Sequence, residues 1–162
     1  MLRAAIALVA LSAATSLPAA PAVAPLAFTG YVVDQARILT PAVRQRLTVR
    51  LGRFQQQTGH QMVVVTVAAL GGADVTLFAT RLANRWGVGA RGRNDGVLVL
   101  VAPAERRARI AVGDGLRGAL PDAFCRAVLD RRMIPAFARD RWDEGVEAGV
   151  QALIARVGPT RS

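Results

Sequence analysis

A fully apolar run, residues 97–101, is the feature that most constrains the fold. A strand with apolar side chains on both faces must be covered on both faces. Residues 62–65 have the same character, and Arg107–Val112 follows the first run after a gap short enough for an antiparallel hairpin. Segments with helical periodicity flank these strands. The sequence therefore predicts an α/β fold, a three-layer α/β/α sandwich around a small mixed sheet of about four strands.

Capping signals predict where the main helices lie. Thr40 and Pro41 are typical of a helix start, because threonine caps the free backbone N–H groups and proline suits the first turn. Gly59 predicts the end of that helix. Asp74 is expected to cap a second helix, and Trp142–Val157 carries the apolar stripe of a final amphipathic helix.

The amino-terminal segment resembles a secretory leader. A short basic start precedes an apolar stretch, and small residues at Ala20 and Ala22 suit signal peptidase. We predict a signal peptide at 1–22, a Pro/Ala-rich linker at 23–30, one domain at 31–158 and a tail at 159–162. The mature protein is then exported, either periplasmic or secreted, with no transmembrane segment. An uncleaved membrane anchor is the alternative.

The chain is strongly basic, with a formal net charge of +10, and every basic residue apart from His60 is arginine. Such a balance favours anionic partners, namely phosphate groups or acidic membrane surfaces. Nucleic acid is not expected, because aromatic residues do not interleave the arginines. A compositional bias toward arginine on an ordinary surface is the competing interpretation.

Aspartates follow or precede the predicted strands at Gly-rich turns. Asp95 precedes residues 97–101 and is expected to be accessible rather than buried, and Asp114 follows the next strand. We expect these two loops to share one site. Asp34 and Asp122 also lie at element ends, and Ca²⁺ or Mg²⁺ prefers such oxygen ligands. Turn capping is the alternative role for each of them.

Other catalytic chemistries find little support. The only serine after the leader is Ser162, which excludes a conventional serine nucleophile. His60 is interpreted as a turn histidine and Cys125 as a small apolar residue of a helix. One histidine and one cysteine also exclude the usual His/Cys zinc sites. A catalytic residue is therefore not assigned.

Four ordered motifs across about residues 31–157 resemble the TPM domain family. They are Val32-Val33-Asp34 with Leu39-Thr40-Pro41; residues 92–101; residues 109–118 with Leu120-Pro121-Asp122; and residues 133–137 before Trp142. The resemblance implies an α/β sandwich, export or membrane association, and a calcium-type site, or one that takes magnesium.

By position, the resemblance places the metal ligands at Asp34, Asp95 and Asp122. Asp114 stands where the family usually has tyrosine, and Arg117 where it has glutamate. Asp114 is therefore added as a candidate ligand, while Arg93 and Arg117 are candidates for binding phosphate.

The resemblance implies two functions. The first is an exported, monomeric adaptor or auxiliary factor for a membrane or envelope protein complex. The alternative is a metal-dependent acid phosphatase that hydrolyses phosphomonoesters, with a phosphorylated small molecule as substrate.

Overall fold

The computed structural model describes residues 26–158, so the predicted signal peptide and tail lie outside the described residues. Within these residues, four strands and five α-helices follow one another together with two short turns of other helix types. They are β1 (Val32–Asp34), α1 (Pro41–Thr58), β2 (Gln61–Thr66), α2 (Val75–Trp86), β3 (Gly96–Ala102), β4 (Arg107–Val112), a 3₁₀ turn (Asp114–Leu116), α3 (Asp122–Val128), a π-helical turn (Leu129–Met133), α4 (Ile134–Phe137) and α5 (Trp142–Val157).

The four strands form one mixed sheet in the order β1-β2-β3-β4. The first three strands are parallel, whereas β4 returns antiparallel to β3 through the predicted hairpin. Residue Val64 of β2 pairs with Val32 on one side and Val99 on the other. The mixed sheet of about four strands is thereby confirmed.

Helices cover both faces of this sheet. Every residue of β3 is buried, and its side chains alternate between two apolar clusters. Val97, Val99 and Val101 face the cluster formed with α1, α3 and α5. Leu98 and Leu100 face the cluster formed with α2. The three-layer α/β/α sandwich predicted from the apolar strands is therefore confirmed.

The predicted caps explain the helix boundaries. Thr40 precedes α1, and its hydroxyl accepts a hydrogen bond from the Val43 N–H at 3.4 Å. Gly59 ends the helix in the left-handed region, at φ 72°, where glycine has no steric penalty. The Asp74 carboxylate accepts the N–H groups of Thr76 and Leu77, each at 2.9 Å. All three predicted caps are confirmed.

A π-helical turn separates α3 from α4. Pro135 has no N–H to donate to the preceding turn, and the Ile134 N–H bonds instead to the Leu129 carbonyl, five residues back. Helix α5 packs closely on this segment at two glycines. A Cβ atom on Gly145 would overlap the Phe137 ring, and one on Gly149 would overlap the Met133 side chain.

Length and apolarity together decide whether a helix can cross a lipid bilayer. Within residues 26–158, no helix meets both requirements.

We expect Gly145→Ala to destabilise the fold although alanine favours helices. The intrinsic gain of about 1 kcal/mol is opposed by overlap with Phe137 and the Met133 carbonyl, which costs about 1–3 kcal/mol. Urea unfolding of the variant and of the wild type measures the change in the free energy of unfolding. Gly118→Ala is the matched control, because a Cβ atom there meets nothing within 4 Å. Equal stability of the two variants would contradict the close contact.

Candidate functional site

Two of the predicted ligands, Asp34 and Asp95, lie at opposite edges of the sheet. Asp34 ends β1 and is level with Thr66 of β2 and Val101 of β3. Asp95 precedes Gly96, the first residue of β3. Since β1 and β3 run in the same direction, about six residues at 3.3 Å each, or roughly 20 Å, separate the two positions. The expectation that Asp34 converges with Asp95 is therefore wrong.

Asp34 stabilises its own turn. Its carboxylate accepts the N–H groups of Ile38 and Leu39 at 3.1 and 3.2 Å and the Thr66 hydroxyl at 2.5 Å. The side chain is 1% exposed, and the Arg44 guanidinium lies 3.8 Å away. These bonds occupy both carboxylate oxygens, which is the capping role that the sequence left open.

Asp95 is buried, at 2% exposure, which corrects the expectation that it is accessible. One carboxylate oxygen accepts the Ala90 N–H at 2.8 Å. The other contacts His60 Nδ1 at 2.9 Å and Arg93 Nε at 2.7 Å. We call these four groups the Asp95 cluster. They connect the loop before β3 with the start of β2.

Two opposing effects act on the Asp95 carboxyl group. Burial raises its pKa, but the hydrogen bonds from the Ala90 N–H and His60, and the positive charge of Arg93, together lower the pKa below its ordinary value. The group is therefore ionised at neutral pH and accepts hydrogen bonds only. The hydrogen shared with His60 must then be carried by Nδ1 of the imidazole ring.

Arg93, a predicted phosphate-binding residue, serves the same cluster. Its Nε donates to Asp95, and one terminal nitrogen donates to the Gly59 carbonyl at 2.7 Å. The side chain is 57% exposed. Arg93 thus joins the end of α1 to the loop before β3.

The loop after β4 interlocks with the Asp95 loop through backbone contacts. The Gly113 N–H bonds to the Gly96 carbonyl at 2.8 Å, and the Gly115 N–H bonds to the Asn94 carbonyl at 3.0 Å. A Cβ atom on Gly113 would overlap the Asn94 carbonyl oxygen, and one on Gly115 would overlap that of Arg93. Only glycine permits this approach, so the predicted proximity of the two loops is confirmed.

A pocket of about 230 Å³ lies beside the interlocked loops, between α2 and the end of β4. We call it the edge pocket. Asp114 and Asp122, two of the predicted ligands, line it, whereas the Asp95 carboxylate is turned into the cluster described above. Its polar lining comprises Thr80, Asn84, Asn94, Arg109, Asp114, Arg117 and Asp122.

The charges of the edge pocket are mixed. Arg117 Nε lies 2.6 Å from Asp114, and both side chains are mostly exposed. The Asn94 amide approaches the same carboxylate at 3.4 Å. Arg109 projects from β4, and its Nε is buried without a hydrogen-bond partner among residues 26–158. Two carboxylates and two guanidinium groups thus face one small volume.

The edge pocket has few groups for covalent chemistry or for tight metal binding. Among the described residues that line it, Thr80 carries the only hydroxyl side chain, and His60 is not one of them. Cys125 is 4% exposed within α3, and burial raises the pKa of its thiol, which weakens it as a nucleophile. In the described part of the chain, no three His, Cys, Asp or Glu side chains are grouped to hold a metal ion.

Sequence reasoning missed two residues of this edge, His60 and Arg109. His60 precedes Gln61, and Gln61 pairs with Gly96 in the parallel register of β2 and β3. That register puts His60 beside Asp95, so a β2–β3 alignment was the available signal. Arg109 lies inside β4, whereas the other arginine of that strand, Arg107, is exposed at its start, and a partly buried charge inside a strand is unusual.

Replacing Asp95 with asparagine should destabilise the protein by about 3 kcal/mol at pH 7. The amide loses the charge that faces Arg93 and His60. Because the folded pKa of Asp95 is lowered, its contribution is complete above the unfolded value near 4 and is lost as pH falls through the folded value. Urea unfolding between pH 7 and pH 3 should show the difference from wild type shrinking below about pH 4.

Asp114→Asn is the matched control for this prediction, since the Asp114 side chain is 74% exposed. Asp114→Asn should change the free energy of unfolding by less than about 1 kcal/mol at every pH. An Asp95→Asn variant as stable as the control at pH 7 would contradict the role given to the cluster.

Solved structures that resemble this chain include the following three. The N-terminal domain of a protein from P. gingivalis, solved by NMR, is 32% identical, with a TM-score of 0.73 over 79% of this chain and 82% of that one. The N-terminal domain of a Corynebacterium glutamicum protein is 14% identical, with a TM-score of 0.63 over 87% and 90% of the two chains. A Bizionia argentinensis protein is 16% identical, with a TM-score of 0.60 over 76% and 86%.

The last two similarities support the fold alone. No curated protein matches the chain. A family model described as the TPM domain matches residues 32–156, which include every strand and nearly all of the helical layers. The chain therefore belongs to the TPM domain family.

Proposed function

We propose that the protein is an exported binding domain that acts as an adaptor for a membrane or envelope protein complex through its edge pocket. The observation that carries this proposal is the mixed charge of the pocket. Asp114 and Asp122 face Arg109 and Arg117, a set suited to recognising an ionic group on a partner. The formal net charge of +10 favours an anionic partner and speeds its encounter.

A divalent cation would be held on the acidic side of the edge pocket. Ca²⁺ requires six to eight oxygen ligands, and Asp114 and Asp122 supply carboxylates that the Asn84 and Asn94 amides and water would supplement. The bound cation would supply positive charge for an anionic group of the partner. The pairing of Arg117 with Asp114 opposes cation binding, so we expect a weak site, with a Kd of roughly 1 mM.

An anionic group would be held on the basic side of the pocket. A buried guanidinium nitrogen without a partner is unfavourable, and Arg109 Nε has none within the described part of the chain. A carboxylate or phosphate oxygen from a partner would satisfy it, and the exposed Arg117 side chain can contribute a second contact. The same two arginines favour the alternative function, phosphomonoester hydrolysis, because they suit a phosphoryl group.

Binding is preferred to hydrolysis because the pocket offers little for the chemical step. Hydrolysis needs a nucleophile or an activated water. Asp34 and Asp95 are occupied by internal hydrogen bonds, and Asp114 is paired with Arg117. Asp122 is the one remaining carboxylate of the four predicted ligands.

Calcium should stabilise the protein through Asp122. At 5 mM Ca²⁺, a site with a Kd of roughly 1 mM adds about 1 kcal/mol, which raises the Tm by roughly 3 °C relative to protein with chelator. Asp122→Asn should abolish the calcium-dependent increment. Asp130→Asn is the matched control, because Asp130 is exposed in the π-helical turn and does not line the pocket.

Asp34→Asn should retain the increment although it lowers the Tm itself, because Asp34 lies at the other edge of the sheet. If the wild-type protein has the same Tm with calcium and with chelator, the proposed cation site is wrong. Loss of the increment in Asp34→Asn would place the cation elsewhere.

A phosphatase assay separates the two functions. We expect no turnover of p-nitrophenyl phosphate above the rate of buffer with Ca²⁺ or with Mg²⁺. Metal-dependent turnover that disappears in Asp122→Asn and persists in Asp130→Asn would show that the protein is a phosphatase and would overturn the adaptor proposal.

A further inference from the structure

A second pocket, of about 270 Å³, lies at the other end of β4. We call it the hairpin pocket. One wall comes from Arg106, in the turn between β3 and β4, and from Arg107, the first residue of β4. The region from α4 to the start of α5 forms the other wall. Ala108 lines the hairpin pocket on the face of the sheet that packs against α5, whereas Arg109 lines the edge pocket on the α2 face. The two pockets share no lining residue and lie on opposite faces of the sheet, so they are independent.

The wall from α4 and α5 is apolar and aromatic. The rings of Phe137 and Trp142 stack with centroids 5.0 Å apart and planes inclined by 29°. Ile134 is 47% exposed and lines the same pocket. The π-helical turn immediately precedes Ile134, and such turns often accompany functional sites. This wall can accept an apolar side chain.

Two charged residues face each other across the hairpin pocket with unusual backbone geometry. Arg106 and Asp140 have φ angles of 51° and 55°, a region that residues other than glycine seldom adopt. Among residues 26–158, neither side chain forms a hydrogen bond or an ion pair. Arg107, also without an ion pair there, borders both this pocket and a neighbouring cavity.

The pocket is slightly below the usual size for small-molecule sites, about 300–1,000 Å³. It therefore suits one side chain and its adjoining charged group better than a larger ligand. A free α-carboxylate would complement Arg106, a peptide N–H would complement Asp140, and an apolar side chain would pack on Phe137 and Trp142. A chain terminus combines all three.

We propose that the hairpin pocket binds the carboxyl terminus of a polypeptide whose last residue is apolar. Its terminal carboxylate contacts Arg106, with Arg107 beside it. The last N–H donates to Asp140, and the side chain packs against Phe137, Trp142 and Ile134. This recognition is separate from the edge pocket and holds whether or not calcium binds there.

The test measures fluorescence anisotropy of a labelled peptide, Gly-Ser-Gly-Ser-Ala-Phe, with a free carboxylate or with a terminal amide. The acid should bind the wild-type protein at least about tenfold more tightly than the amide, because only the acid forms the charged contact. Arg106→Gln should weaken binding of the acid by about tenfold, to the level of the amide. Arg139→Gln is the matched control, since Arg139 is an exposed arginine outside the pocket.

The apolar wall is tested in the same assay with Ile134→Ser. This exposed residue can be replaced with little effect on folding. Its loss should weaken binding of the acid peptide several-fold. Leu77→Ser, at an exposed position on α2, should not change the affinity. Equal affinity for acid and amide, or unchanged binding in both Arg106→Gln and Ile134→Ser, would overturn the proposal.

Discussion

The buried carboxylate of Asp95 holds together the edge of the sheet where the edge pocket lies. It accepts hydrogen bonds from the loop before β3, from His60 at the start of β2 and from Arg93. Arg93 extends the connection to Gly59, at the end of α1. The adjoining residue, Asn94, then receives the N–H of Gly115 from the loop after β4. Asp95 thus positions the pocket without facing it.

The local elements were predictable because their signals lie in consecutive residues. Thr40 and Gly59 bound α1 through capping chemistry that depends only on neighbouring backbone groups. Strand β3 is apolar on both faces, which predicts that other elements cover both of them. The short gap between β3 and Arg107–Val112 predicts that these two strands pair antiparallel, as the structure shows. Helix α5 begins and ends at the residues that its apolar stripe predicts, Trp142 and Val157.

The error over Asp34 concerned direction along the sheet rather than any local element. Parallel strands are usually joined through a helix, and β1, β2 and β3 are joined in this way and run parallel. An aspartate after β1 and an aspartate before β3 must therefore lie at opposite edges. Asp114 follows β4, which runs the other way, and so it reaches the edge of Asp95. Strand polarity, applied to the order of the elements, would have separated Asp34 from Asp95 and Asp114.

The burial of Asp95 could not be inferred from its glycine neighbours alone. Glycine permits an exposed turn, but it also permits two backbones to approach, and at Gly113 the second effect operates. The presence of arginine at position 93 likewise has two explanations. It can reflect the bias of the whole sequence toward arginine, or the site can require the geometry of a guanidinium group. Its planar guanidinium donates from Nε to a carboxylate and from a terminal nitrogen to a carbonyl. The single ammonium group of lysine lacks this fixed fork, so arginine is required there whatever the composition of the remaining surface.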